Sequence, residues 1–175
     1  MSNSHISPTS NLAYRRIVIK AGTQVLTAGT DSLDRKVMSG IVSQIAELHS
    51  MEAQVLLVSS GAIAAGRNVM SGDKKRGDVT YKQVLAAIGQ GHLMHMYEQL
   101  FDRHSITVAQ ALITRRDMTD RQGYLNIRNT LLTLLDKNVV PVVNENDVVA
   151  VEEIKGRGFS DNDTLSALLA NLIDA

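Results

Sequence analysis

Apolar residues fall along this chain in two alternating rhythms. Four short runs, YRRIVIK (14–20), QVLLVSS (54–60), ITVAQALIT (106–114) and VVPVVN (139–144), are rich in β-branched residues. Runs of this length read as strands, and the continuous apolar QVLLVSS reads as one buried on both faces. Between the runs the spacing turns helical. Leu33, Val37, Ile41, Ile45 and Leu48 share one helix face, and Asp31 or Ser32 is placed to cap it. The segment after the second strand, GAIAAGRNVM, has the small residues of a tight strand-to-helix turn and a closely packed helix start. A long helix is expected from Tyr81 to Arg103, broken near Gly89–Gly91, and another around Ile127, Leu131, Leu134 and Leu135, ending near Asn138. Thr164–Ile173 is the last helix. Pro141 has no N–H to give a ladder, so the fourth strand should begin at or near it. The segments 21–32 and 113–124 read as irregular, and 71–78 as a solvated loop.

Strands alternating with helices predict an α/β fold: a three-layer αβα sandwich around a mostly parallel sheet. In such sheets ligands bind beyond the carboxyl ends of the strands. Three unusual loops follow strands here, IKAGT, SSGAIAAG and NENDVVA. All three should open onto one edge, and that convergence points to a site.

Composition narrows the picture. The 18 basic and 18 acidic residues cancel, which argues against a broad nucleic-acid-binding surface. No cysteine is present, so disulfides and thiolate chemistry are excluded. No apolar run is long enough for a membrane helix, and the polar start, MSNSHISPTSNLAY, lacks the apolar core of a signal peptide. Residues 1–11 read as a disordered tail and 12–175 as the folded part. These features agree with a cytoplasmic protein.

Each candidate group has a functional and a purely architectural reading. Lys20 ends a strand, and Gly22 beside it permits close backbone approach, so Lys20, Gly22 and Thr23 could cradle a phosphate. A solvated lysine beside a turn glycine is the alternative. Ser60 and Gly61 join a buried strand to a helix start, where free N–H groups and the dipole favour an anion. A capped turn would look the same. Asn144-Glu145-Asn146-Asp147 is more polar than a turn requires; Asp147 suits an ammonium group and Asn144 a carboxylate. In GRGFSDNDTLS, Ser160 or Asp161 could cap the last helix, with Asp163 in its first turn. His92 and His95 lack the further ligands and the HExxH pattern of a zinc site and read as helix surface. Arg115, Arg116, Asp117, Asp120 and Arg121 read as a solvated, salt-bridged loop.

IKAGTQVLT, VSSGAIAAGR, QVLAAIGQGHLMHMYEQLF, ALITRRDM, YLNIRNTL and VVPVVNENDVVA stand in an order and spacing that resembles the glutamate 5-kinases of the amino acid kinase superfamily. The resemblance runs from Tyr14 to the end of the chain. It implies ATP-dependent phosphorylation of the γ-carboxylate of L-glutamate, the first step of proline synthesis, with Mg2+ accompanying ATP. It implies that Lys20 stabilises the transferring phosphoryl group and that Gly22 and Thr23 line the phosphate loop. Ser60, Gly61, Asp147, Asp161 and Asn162 would bind glutamate or phosphate, with Asn144 close by, and Asp163 would orient the catalytic lysines. Proline as a feedback inhibitor and a homo-oligomer are further implications, with neither membrane nor nucleic acid as a partner. Ala21 is smaller than the hydrophobic residue usual in the family, and the GRGFSDND loop is slightly longer. The family's kinase domain is longer than this chain, which is therefore expected to be its substrate-binding, N-terminal part, with the C-terminal part missing and with impaired turnover on its own. Two alternatives stay open: another phosphotransferase of the superfamily, and a non-catalytic module that binds glutamate or proline.

Overall fold

The computed structural model describes residues 12–70, 78–150 and 162–175. The expected tail, most of the loop at 71–78, and Ser160 and Asp161 lie outside them. Four strands form the frame: β1 (Arg16–Ala21), β2 (Gln54–Ser59), β3 (Val108–Ile113) and β4 (Val140–Glu145). All pairings are parallel, in the order β1-β2-β4-β3. Every residue of the two inner strands, β2 and β4, is buried, as expected where helices cover both faces. β4 begins one residue before Pro141, and its ladder with β2 starts only at Val142, opposite Leu57. The proline therefore sits before that ladder and breaks none of it.

Seven α-helices surround the sheet among the described residues: α1 (Thr23–Leu26), α2 (Arg35–Ser50), α3 (Ala62–Val69), α4 (Val79–Phe101), α5 (Arg115–Thr119), α6 (Arg121–Asp136) and α7 (Asn162–Leu172). Alternation along the strands sorts the core into two layers. Val55, Leu57, Val140 and Val142 face Met38, Val42 and Ile45 of α2 and Leu93, Tyr97, Leu100 and Phe101 of α4. Leu56, Val58 and Val143 face Leu131 and Leu135 of α6 and Leu165, Leu169 and Leu172 of α7. Each such aliphatic side chain contributes about 1.5–3 kcal/mol on full burial, so both layers are needed to hold the sheet. This is the three-layer αβα arrangement expected from the alternation.

Local chemistry differs from expectation in four places. Asp34, not Asp31 or Ser32, caps α2; its carboxylate accepts from the N–H groups of Lys36 at 2.7 Å and Val37 at 3.1 Å. Residues 23–26, read as loop, form the single turn α1 because Leu26 is drawn fully into the core. The polar stretch 113–124 contains α5 and the start of α6. Thr114 and Asp117 form a reciprocal capping box, and Asp120 accepts from Gly123 N at 2.8 Å to cap α6. Polar residues taken for a loop are cap residues, because helix starts need acceptors for their free N–H groups.

The fourth difference is α4, which runs unbroken through Gly89–Gly91. Glycine here serves contact rather than bending. A Cβ on Gly89 would lie 1.8 Å from the Ala62 carbonyl oxygen, and one on Gly66 would lie 2.0 Å from that of Leu85. α3 and α4 therefore meet backbone to backbone. Gly89→Ala should destabilise the protein by at least about 3 kcal/mol, at or above the usual overpacking cost, since the clash is with backbone rather than a flexible side chain. Gly91→Ala meets nothing within 4 Å and should be neutral or slightly stabilising. Urea denaturation of both variants checks the contrast.

Tyr97, fully buried on α4, hydrogen-bonds Ser59 Oγ at 2.8 Å at the end of β2. Burial pushes the phenol up to about 12, with the Ser59 hydrogen bond opposing the shift. An unfolded chain releases this proton near pH 10 while the folded one retains it, so stability is full below pH 10 and falls as pH rises towards 12. The loss should reach roughly 2–3 kcal/mol from this group. Denaturation curves between pH 9 and 12 should show the slope for the wild type and a smaller one for Tyr97→Phe.

Candidate functional site

The carboxyl ends of β1, β2 and β4 open into a cavity of about 620 Å³. Its walls come from the ends of those strands and the segments after them: Lys20 near the end of β1 with Gly22 and Thr23 after it, Ser60 and Gly61 after β2, and Asn144 near the end of β4 with Asp147 after it. Asn162, at the start of α7, closes it. The volume lies within the range of small-molecule sites, roughly 300–1,000 Å³. β1 and β2 run in register from Arg16 opposite Gln54 to Ala21 opposite Ser59. This register brings Lys20 and Ser60 to one sheet edge, and the Ser60 N–H donates to Ala21 O at 2.9 Å across the seam.

Lys20 carries the charge on one wall. Its Nζ lies 2.7 Å from Asp163 Oδ1, and a Cβ on Gly22 would approach it to 3.0 Å. A lysine at this strand end can lie across the loop because residue 22 has no side chain. The pair is partly solvated, with side chains 31% and 61% exposed, so it adds little to stability. Its consequence is positional: Asp163 holds the ammonium beside the cavity.

The adjoining segment after β2 is a helix start. Gly61 adopts the left-handed conformation at φ 104° and caps α3 without a side-chain hydrogen bond. A Cβ there would also press on Leu33 at 3.0 Å and Leu26 at 3.3 Å. The turn thus presents backbone N–H groups and the positive end of the α3 dipole to the cavity, a combination that attracts an anion.

A chain of amides links the remaining polar groups. Asn162 Nδ2 donates to Ser60 Oγ at 2.5 Å and to Asn144 Oδ1 at 3.3 Å. Asn144, only 4% exposed, also accepts from Glu145 N at 2.9 Å, and its Nδ2 donates to Gln90 Oε1 at 3.0 Å. Ser60 accepts from Asn162, so its hydroxyl proton is left to point at a ligand oxygen.

The structure brings Lys20, Gly22, Thr23, Ser60, Gly61, Asn144, Asp147 and Asn162 around one cavity and ties Asp163 to it through Lys20. Asp161 lies outside the described residues. Gln90 is the residue the sequence reading passed over. Its signal was present: a glutamine in line with Ala86, Leu93, Met94 and Tyr97 on the buried face of α4. His92 and His95 are exposed on α4, and His95 Nε2 lies 2.8 Å from Gln99 Nε2. Asp117 and Asp120 act as helix caps. Among the described residues, no cluster of three or more His, Cys, Asp or Glu could hold a metal ion, and no helix is long and apolar enough to cross a membrane.

Comparison with known proteins places the chain in a family and a fold. Residues 15–175 match the model of the amino acid kinase family. The glutamate 5-kinases of Dehalococcoides mccartyi strains CBDB1 and ATCC BAA-2266 are 55% and 57% identical over 162 residues, 93% of this chain and 43% of each relative. The glutamate 5-kinase of Herpetosiphon aurantiacus is 54% identical over the same length, so the chain spans less than half of these relatives. The solved structure of Giardia carbamate kinase superposes with a TM-score of 0.56 at 18% identity, over 94% of this chain and 71% of that one, and shares its fold. The chain, matched over nearly all its length, belongs to the amino acid kinase family.

Proposed function

We propose that this chain forms the acid-substrate side of a kinase that transfers the γ-phosphoryl group of ATP to the γ-carboxylate of L-glutamate. The observation that carries the reading is the meeting of Lys20, the Gly61 helix start and the Ser60–Asn162 pair around one cavity. Residues 12–175 would be the substrate-binding part of the kinase domain, in the cytoplasm. The names of the relatives supply the acceptor, glutamate.

The chemistry asks little of a protein base. A carboxylate is already ionised near neutral pH, so its oxygen attacks the γ-phosphorus directly. The bond from that phosphorus to the β–γ bridging oxygen breaks, and ADP leaves with the electron pair. No proton is transferred. The difficulty is electrostatic, because two anions must meet, and catalysis rests on positioning and charge stabilisation. Lys20 would neutralise charge on the transferring group, with Asp163 orienting its amine. Backbone around Gly22, Thr23 and Gly61 would receive phosphate oxygens. Ser60 and Asn162 would hold a carboxylate of glutamate and Asp147 its ammonium group, with Asn144 and Asp161 completing that side. Mg2+ would accompany the nucleotide, and no step here is assigned to it.

The test is ADP release by the intact protein, with the acyl phosphate trapped as a hydroxamate. Lys20→Met should lower kcat by about 100- to 1,000-fold with a small change in KM for glutamate, as for loss of a group that acts on developing charge. Ser60→Ala should raise KM for glutamate about tenfold, the equivalent of ~1.4 kcal/mol of lost hydrogen bonding. ADP release that does not depend on glutamate, or strong preference for another acid, would sink the proposal.

A further inference from the structure

Gln90 lies outside the cavity that binds substrate in this reading, yet the chain of hydrogen bonds from Ser60 through Asn162 and Asn144 ends on it. It sits on the buried face of α4, with 9% of its surface exposed. Its Oε1 accepts from Asn144 Nδ2 at 3.0 Å. That contact and the backbone N–H of Glu145 together set which end of the Asn144 amide faces the site. With Nδ2 held by Gln90, Oδ1 meets two donors, Glu145 N at 2.9 Å and Asn162 Nδ2 at 3.3 Å. Reversing the Asn144 amide would set its NH2 against those two donors and its oxygen against Gln90 Oε1. Three contacts would become repulsive at once.

Asn162 passes the order on. Its Nδ2 serves both Asn144 Oδ1 and Ser60 Oγ, so the Asn144 oxygen helps aim the NH2 that fixes the serine hydroxyl. The serine then accepts from the protein and has its proton for a substrate oxygen.

Two observations indicate that Gln90 is kept for this purpose rather than for the core. Its Nε2 is the one buried side-chain polar atom without a hydrogen-bond partner among the described residues. An unpaired buried donor lowers stability, a cost that the packing of α4 alone gives no reason to carry. Its neighbour Gly89 packs against Ala62 and Gly66 in α3, which fixes the height of Gln90 relative to the Gly61 helix start.

We infer that Gln90 is a positioning residue: through Asn144 and Asn162 it sets the hydroxyl of Ser60 for the carboxylate substrate. This rests on the glutamate-kinase reading of the site. Steady-state kinetics of the intact wild type, Gln90→Met and Gln90→Glu provide the test. Gln90→Met removes the acceptor and should raise KM for glutamate about tenfold, with KM for ATP within about twofold and melting temperature little changed, since an unpaired Nε2 is exchanged for an unpaired Asn144 Nδ2. Gln90→Glu keeps an acceptor for Asn144 and should recover most of the glutamate affinity. In a Ser60→Ala background, Gln90→Met should add little, because residues acting through one group are not additive. An unchanged KM for glutamate in Gln90→Met would overturn the role. So would equal losses for both substrates that follow a fall in melting temperature. If Gln90→Met does not fold, Gln90→Glu decides: glutamate affinity as poor as that of Ser60→Ala rejects the role, and near-wild-type affinity supports it. Wild-type protein inactive on glutamate overturns the reading of the site itself, a result separate from any behaviour of the variants.

Discussion

The backbone contact between α3 and α4 governs the placing of the candidate site. Gly66 and Gly89 let the two helices approach until a single added carbon would overlap a carbonyl oxygen. α3 starts at the end of β2 and presents Gly61 to the cavity. α4 carries Tyr97 under the last residue of β2 and Gln90 beside Asn144 near the end of β4. One close contact therefore fixes the height of a helix terminus, a strand end and an amide together. Dense packing transmits such placement because there is no void to absorb an error.

The two walls of the cavity solve different electrostatic problems. Lys20, Gly22 and the Gly61 helix start gather positive charge and backbone donors where phosphate charge would lie. The amide chain through Asn144 and Asn162 is neutral, and it works by direction instead of charge. A carboxylate beside a nucleotide needs both, since the positive wall alone would hold anions without aligning them. The polar groups of the amide chain are nearly all satisfied by each other, as buried polar networks must be. Gln90 Nε2 is the exception among the described residues.

The strands and the longer helices were legible because burial imposes a period. β2 is continuous and apolar since both its faces are covered, and α2 repeats every third or fourth residue since only one face is. Helix starts were less legible. Asp34, Thr114, Asp117 and Asp120 look like loop residues in the sequence, because cap residues and loop residues are the same types. The first turn of α6 carries no apolar signal because it faces solvent, with Arg121 and Gln122 exposed. Glycine was ambiguous in the same way. Gly89 reads as a helix break in isolation and proves to be a contact point, which depends on a neighbour more than twenty residues away.

Residue type by itself determined the chemistry available to this protein: a lysine at a strand end, glycines for close approach, and amides and carboxylates after β4 and before α7. It also determined the alternation of strand and helix that sends three such loops to one sheet edge, because parallel strands share a direction. Only the tertiary structure decided which group faces which. The Lys20–Asp163 pair, the Asn162–Ser60 bond and the Gln90–Asn144 contact each join residues far apart in the chain. A hydrogen bond requires a donor and an acceptor within about 3 Å and in line. Periodicity places a residue on a face; that alignment follows from how the faces pack.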